Sequence, residues 1–282
     1  MRRRLTSAMA VILSLTAAAS GQSPAAGERP TKLAEWPKLR KGDSERARAS
    51  IKQFRKPQQR LQDAASQKLV KMGAAVAPII IRQITDKAQN INEHLFSVLD
   101  QVVDARHAAL LAREARRKSV ACRRYVTRRL ATMRDPEMAP VLKAKLKDKD
   151  DDIAFHAALG MLALGDDVGV GRVLEAARQR WPELREVIAA ALSPTRSAGA
   201  GSLVWERIKE ARTTDQMAGL RLLRYLATKS QRGLLRSYLE SADFAVKREA
   251  INTARVLHGE EPIETLSSFQ AINLAKQWLK KL

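Results

Sequence analysis

Apolar residues along this chain recur as triplets spaced i, i+4, i+7, the spacing that sets three side chains on one helical face. Seven triplets keep a common register: Ala65-Leu69-Met72, Leu95-Leu99-Val102, Val126-Leu130-Met133, Ala157-Met161-Leu164, Ile188-Leu192-Thr195, Gly219-Leu223-Leu226 and Ala250-Ala254-Leu257. Their first members are separated by 30 residues once and then by 31 five times. Only Thr195 and Gly219 break the apolar rule. Sixteen residues after each first member stand Ile81, Leu111, Leu142, Val173, Val204, Leu235 and Leu266, all apolar. Four residues further come Thr85, Ala115, Leu146, Ala177, Ile208, Leu239 and Gln270, so an i, i+4 pair marks a second helix in each unit. Gly73, Asp104, Asp135-Pro136, Gly165-Asp166-Asp167 and Ser193-Pro194 lie between the two helices, where turn residues belong. Ser119, Asp150 and Asp243 precede three triplets as N-caps, and Trp181-Pro182 sets proline at a first helical position.

The period predicts an all-α chain built from about seven helix–turn–helix units over residues 57–282. A random bundle would keep the 3.6-residue period but not the 31-residue step. Two flanking helices complete it. One is expected over 43–56. The other begins near Ser267, with Phe269, Ile272, Ala275, Trp278 and Leu279 assigned to one face. It serves as the second helix of unit seven and as a capping helix, because an end unit has no neighbour to cover its core.

Three stretches carry a family resemblance. They are Ala65-x3-Leu69-x2-Met72-Gly73-x2-Val76-Ala77-Pro78, the run Arg134-Asp135-Pro136-Glu137-Met138-Ala139-Pro140-Val141-Leu142, and Ala157 to Asp166. This pattern resembles HEAT repeats of the short bacterial kind. The resemblance covers roughly residues 57–282 and is specific for fold rather than function. It implies a right-handed α-solenoid with a capping helix at each end, whose second helices line a concave face. Tetratricopeptide arrays fit less well, since their 34-residue step and aromatic signature are missing.

The N-terminus follows a different grammar. Met1 is followed by Arg2, Arg3 and Arg4, then by an uncharged run from Leu5 to Ala19 and small residues to Gly21. That order predicts a secretory signal over 1–21. The apolar run is shorter than the roughly 18–20 residues a membrane span needs. Residues 22–42 are read as a flexible leader, with Trp36-Pro37 docking on the first unit. The expected location is therefore periplasmic or secreted, with no transmembrane span after signal cleavage.

Composition adds charge to this picture. The 282 residues carry 51 Lys and Arg against 30 Asp and Glu, a formal charge of +21. The single Cys122 excludes an internal disulfide framework. From Ala105 to Arg134 ten basic residues face one acid, Glu114. Arg113, Arg116 and Arg117 of that run, with Arg124 and Arg128, are candidate anion or partner contacts. A second argument comes from register. Arg116, Lys147, Arg178 and Lys209 stand 31 residues apart. Equal register puts them in one row along successive second helices, with Asp86 and Glu240 at its ends. Lys or Arg at a helix end also complements the macrodipole and the free carbonyls, so the row has a purely structural explanation too.

Other chemistry is sparse. Cys122 lies on the buried stripe and reads as a small core residue. Lys147 to Asp152 lacks the glycine and distal glutamate of an EF-hand, and reads as a capped turn. His94, His107, His156 and His258 fall in different units without ligand spacing. No P-loop, G-x-S-x-G or H-E-x-x-H motif is present, and no cofactor is expected. These readings point to an exported scaffold that holds a protein partner without catalysis. The alternative is a basic solenoid drawn to an anionic polymer or envelope surface. The resemblance also touches alkylpurine DNA glycosylases and bilin lyases, which work inside the cell, where an exported chain would not meet their substrates.

Overall fold

A computed structural model describes residues 31–193 and 196–282. The expected signal over 1–21, the leader as far as Pro30 and the helix position of Thr195 lie outside the described residues. Residues from Thr31 onward form one compact unit. Among the described residues its elements are all helical, fourteen α-helices and six short 3-10 helices.

The first half of the chain holds α1 (Asp43–Gln53), α2 (Gln59–Lys71), α3 (Ala77–Gln83), α4 (Gln89–Val102), α5 (Ala108–Arg113), α6 (Val120–Met133) and α7 (Ala139–Lys145). The second half holds α8 (Asp151–Ala163), α9 (Val170–Leu192), α10 (Ala198–Ile208), α11 (Thr213–Leu226), α12 (Arg236–Leu239), α13 (Phe244–Leu257) and α14 (Ser268–Lys281). Short 3-10 turns lead into α3, α5, α7, α9 and α12.

At its central position the triplet register predicts burial correctly, while the third members Met72, Val102, Met133 and Leu164 are half-buried. Leu69, Leu99, Leu130, Leu192, Leu223 and Ala254 are fully buried and Met161 nearly so. Ile81, Leu111, Leu142, Val173, Val204, Leu235 and Leu266 are buried as well. The triplet helices pack in sequence order: α2 on α4, α4 on α6, α6 on α8, α8 on α9, α9 on α11, α11 on α13. Each buries its stripe against its neighbours, which is where the stabilisation comes from. Ser119, Asp150 and Asp243 each accept a hydrogen bond from the first turn of α6, α8 and α13. α9 breaks at Arg180 (φ −132°, ψ 32°), just before Trp181-Pro182, so its two arms belong to successive units.

Three expectations need correction. Residues 31–37, read as part of a flexible leader docking on the first unit, lie instead against later turns. Leu33 N–H donates to the Arg106 carbonyl at 3.0 Å, and Trp36 stacks on His107 at 5.4 Å. Lys32 pairs with Asp135 at 2.8 Å and with Glu137. In α14 the buried residues are Ala271, Ala275 and Trp278, while Phe269 is 75% exposed and Ile272 is exposed too. The helix packs mainly on α12 and α13, and a narrower stripe suffices. The first capping helix also ends at Gln53, three residues before the expected Lys56. Among the described residues no single helix is long and apolar enough to cross a membrane.

Candidate functional site

The arginines of the 105–134 run are mostly committed to the protein itself. Arg124 on α6 donates two hydrogen bonds to Asp150, the N-cap of α8, at 2.9 and 2.6 Å. Arg123 reaches Asp148 at 3.3 Å and the carbonyls of Arg117 and Lys118. Arg128 lies 3.5 Å from Asp100 on α4 and sits over the rings of Phe96 and Tyr125. Arg129 donates to the carbonyls of Asp100 and Val103, closing the C-terminus of α4. Arg134 does the same for α9, through the carbonyls of Ala190 and Ala191. Arg117 pairs with Glu114, and Arg113 donates to the Ala34 carbonyl at 3.4 Å. What reads locally as one unopposed basic run is a set of staples between neighbouring helices.

The 31-residue row divides. Arg178, on the first arm of α9, pairs with Glu175 at 2.6 Å and approaches Asp215 of α11 at 3.6 Å. Arg116, Lys147 and Lys209 are exposed, and none has an acidic partner among the described residues. Lys209 is the C-cap of α10, Arg116 ends a 3-10 turn after α5, and Lys147 follows α7. All three stand at helix ends, as the macrodipole favours. Asp86 does not end a charge row. It accepts from the Ser119 hydroxyl and the Ala121 N–H, both at 2.8 Å, capping α6 from the preceding unit. Those hydrogen bonds hold its carboxyl below the usual range.

Cys122 is buried, and burial pushes its thiol up to about 11, which leaves no reactive thiolate near neutral pH. Asp148 and Asp150 of the acidic turn accept from backbone N–H groups and arginines, as a capped turn should. His107 is buried within a capping box with Asp104. His156 lies edge-on to Phe155, and burial with Arg128 nearby lowers its imidazole to about 4. Among the described residues no three His, Cys, Asp and Glu side chains stand together as a metal site would need.

The unneutralised charge lies elsewhere. From Lys38 to Lys71 eleven Lys and Arg face three acids. Among the described residues the one ion pair in this stretch is Arg46 with Asp43, at 3.3 Å. The segment before α1, α1 itself and α2 enclose a groove of about 830 Å³. Lys38, Arg40, Arg46, Lys68 and Lys71 line it, and Leu61 adds an exposed apolar edge. Lys68 and Lys71 close the last turn of α2, and the segment 38–40 brings its two cations across from them. No residue of this groove is among the candidate contacts expected from the sequence. Its signal was the charge count over 38–71, obscured because that stretch straddles the expected leader and the first capping helix.

No family model matches the chain, and no curated protein matches it. Among solved structures, human deoxyhypusine hydroxylase in complex with glycerol is similar, at 17% identity and a TM-score of 0.35. The match covers 85% of this chain and 97% of that one. That neighbour is an enzyme by name, which corrects the expectation of a scaffold without catalysis. An all-helical repeat pattern gives no ground for excluding a reaction, and fold and function are separate questions. At this similarity no substrate or residue role is carried over.

Proposed function

We propose that this chain binds an anionic polymer through the basic groove formed by α1, α2 and the segment before them. One contrast carries the reading. Apart from Arg116, the arginines of 105–134 have acids and carbonyls to meet, whereas Lys38, Arg40, Lys68 and Lys71 have no acidic partner among the described residues. Exposed cations of one sign focus a positive potential and draw polyanions at rates that fall with salt. A mixed lysine and arginine surface with an apolar edge suits a flexible, repeating ligand better than a single planar head. Arg116, Lys147 and Lys209 would extend the attraction without forming a pocket.

We infer that the helix pairs stack as a right-handed solenoid of seven short HEAT-like repeats between α1 and α14. The burial of one residue per 31-residue step, and the sequential packing of the triplet helices, support it. The handedness rests on the resemblance of the repeats. Export through Met1 to Gly21 fits a ligand such as an envelope polymer, outside the reducing and nucleic-acid-rich cytoplasm.

Retention on immobilised heparin tests the binding. Arg40→Glu with Lys68→Glu and Lys71→Glu should elute well before the wild type at low salt, with an unchanged melting temperature. Equal elution of variant and wild type would end the groove assignment. Binding to anionic vesicles but not to heparin would move the ligand from a polymer to a lipid surface and contradict it too.

A further inference from the structure

A second cleft carries a different chemistry. It lies between the second arm of α9, α11 and α13, encloses about 750 Å³, and falls in the size range of small-molecule sites. Trp181, Arg221, Arg224, Tyr225, Arg248 and Glu249 form its inner wall. Trp181 and Tyr225 stack at 6.5 Å, giving an apolar side.

The inner wall does not balance its own charge. Glu249 is buried on α13, and three guanidinium groups converge on it. Arg221 donates at 3.1 Å and Arg248 at 3.3 Å, and Arg224 also bonds to it. One carboxylate therefore serves three cations, leaving two positive charges in excess. Arg224 is only 5% exposed, and the Nε–H groups of Arg221 and Arg224 find no acceptor among the described residues. Arginine does not shed its proton to escape such a position. Arg224 meets Glu249 directly, so the unmet charge falls on Arg221 and Arg248, both only partly exposed, and such charge is costly unless an anion meets it.

The acids at the mouth are not placed to do so. Glu264 pairs with Arg185 at 2.9 Å and Glu260 with Arg255 at 2.8 Å. Glu186 and Glu261 are exposed at the rim. The forks are also held in place. The guanidinium carbons of Arg221 and Arg224 lie 5.6 and 5.7 Å from the centre of the Trp181 ring. Asn252, buried on α13, exchanges two hydrogen bonds with the backbone of Ile263 and fixes the loop that closes one side. A site whose donors are held before binding loses little on ordering them.

We propose that this cleft binds a small ligand through a dianionic head, a phosphate monoester group matching the two excess charges and the planar donors. It is independent of the polymer groove on α1 and α2. Calorimetric titration of the full-length protein with inorganic phosphate, at constant ionic strength in chloride, tests it, with succinate as a dicarboxylate of equal charge. Saturable phosphate binding is expected, weakened about tenfold or more by Arg248→Gln and by Arg221→Gln, since a charged hydrogen bond is lost in each. Both variants should melt as cooperatively as the wild type. Lys68→Gln with Lys71→Gln should leave phosphate affinity unchanged, which separates this site from the polymer groove. No saturable phosphate binding, or equal affinity in the Arg248→Gln and Arg221→Gln variants, would overturn the proposal. Tighter binding of succinate than of phosphate would overturn the phosphate assignment.

Discussion

His156 shows how far a single residue can be read from its surroundings. It is largely buried beside Arg128 and Arg180, and its imidazole is lowered to about 4. The folded state thus binds a proton less readily than the unfolded chain, whose histidine titrates near 6.5. The stability this lends is complete above pH 6.5 and is lost as pH falls toward 4, by roughly 3 kcal/mol in all. His156→Gln should remove that part of the acid sensitivity, seen as a shallower fall in unfolding free energy between pH 7 and 4.5. Parallel profiles for the two proteins would refute the assignment. Leu130 makes the same kind of case for the core. It is fully buried, and Leu130→Ala should cost about 2–5 kcal/mol in urea denaturation. Its burial was legible from the triplet register alone. The pairing of Arg124 and Arg128 was not. Their partners Asp150 and Asp100 stand 26 and 28 residues away, on neighbouring helices, where a local count of charge does not look.

Among elements, several helix ends are closed by side chains from neighbouring units, before or after them in the chain. Arg196 donates to the carbonyls of Arg224 and Ala227 at 2.9 and 2.8 Å, completing the C-terminus of α11. Arg196→Ala should cost about 1.5–3 kcal/mol, the usual range for charged hydrogen bonds. A loss below about 0.5 kcal/mol would mean the cap is dispensable. Gly219, one of the two breaks in the apolar rule, has a related explanation. A Cβ there would fall on the side chain of Ile208 in α10, so α10 and α11 approach more closely than an alanine allows. Gly219→Ala should overpack that contact and cost about 1–3 kcal/mol. In the sequence this glycine stands as an exception, because closeness between two helices leaves no mark in the periodicity of either. The exposed Phe269 of α14 was misassigned for a similar reason. Its spacing suits a helix packed on a broad face, but α14 packs on α12 and α13 through the narrower stripe of Ala271, Ala275 and Trp278.

For the whole molecule, register gave the all-helical repeat pattern from Ala65 to Gln270, since each step repeats a local signal. Charge was harder. Most of the densest run in the sequence, over 105–134, turns inward as staples, while the cations of Lys38 to Lys71 have one ion pair among the described residues, Arg46 with Asp43. Net charge pointed only to an anionic ligand in general, and the proposed place for it came from which cations the packing leaves without acids. The direct measurement is the affinity of a fluorescent heparin oligosaccharide at a series of salt concentrations, for the wild type and for Arg40→Glu with Lys68→Glu and Lys71→Glu. The wild type should show a steep linear fall of log affinity with log salt, and the variant a distinctly shallower slope, as each lost contact releases fewer counterions. Superimposable lines for the two proteins would contradict binding in the α1–α2 groove.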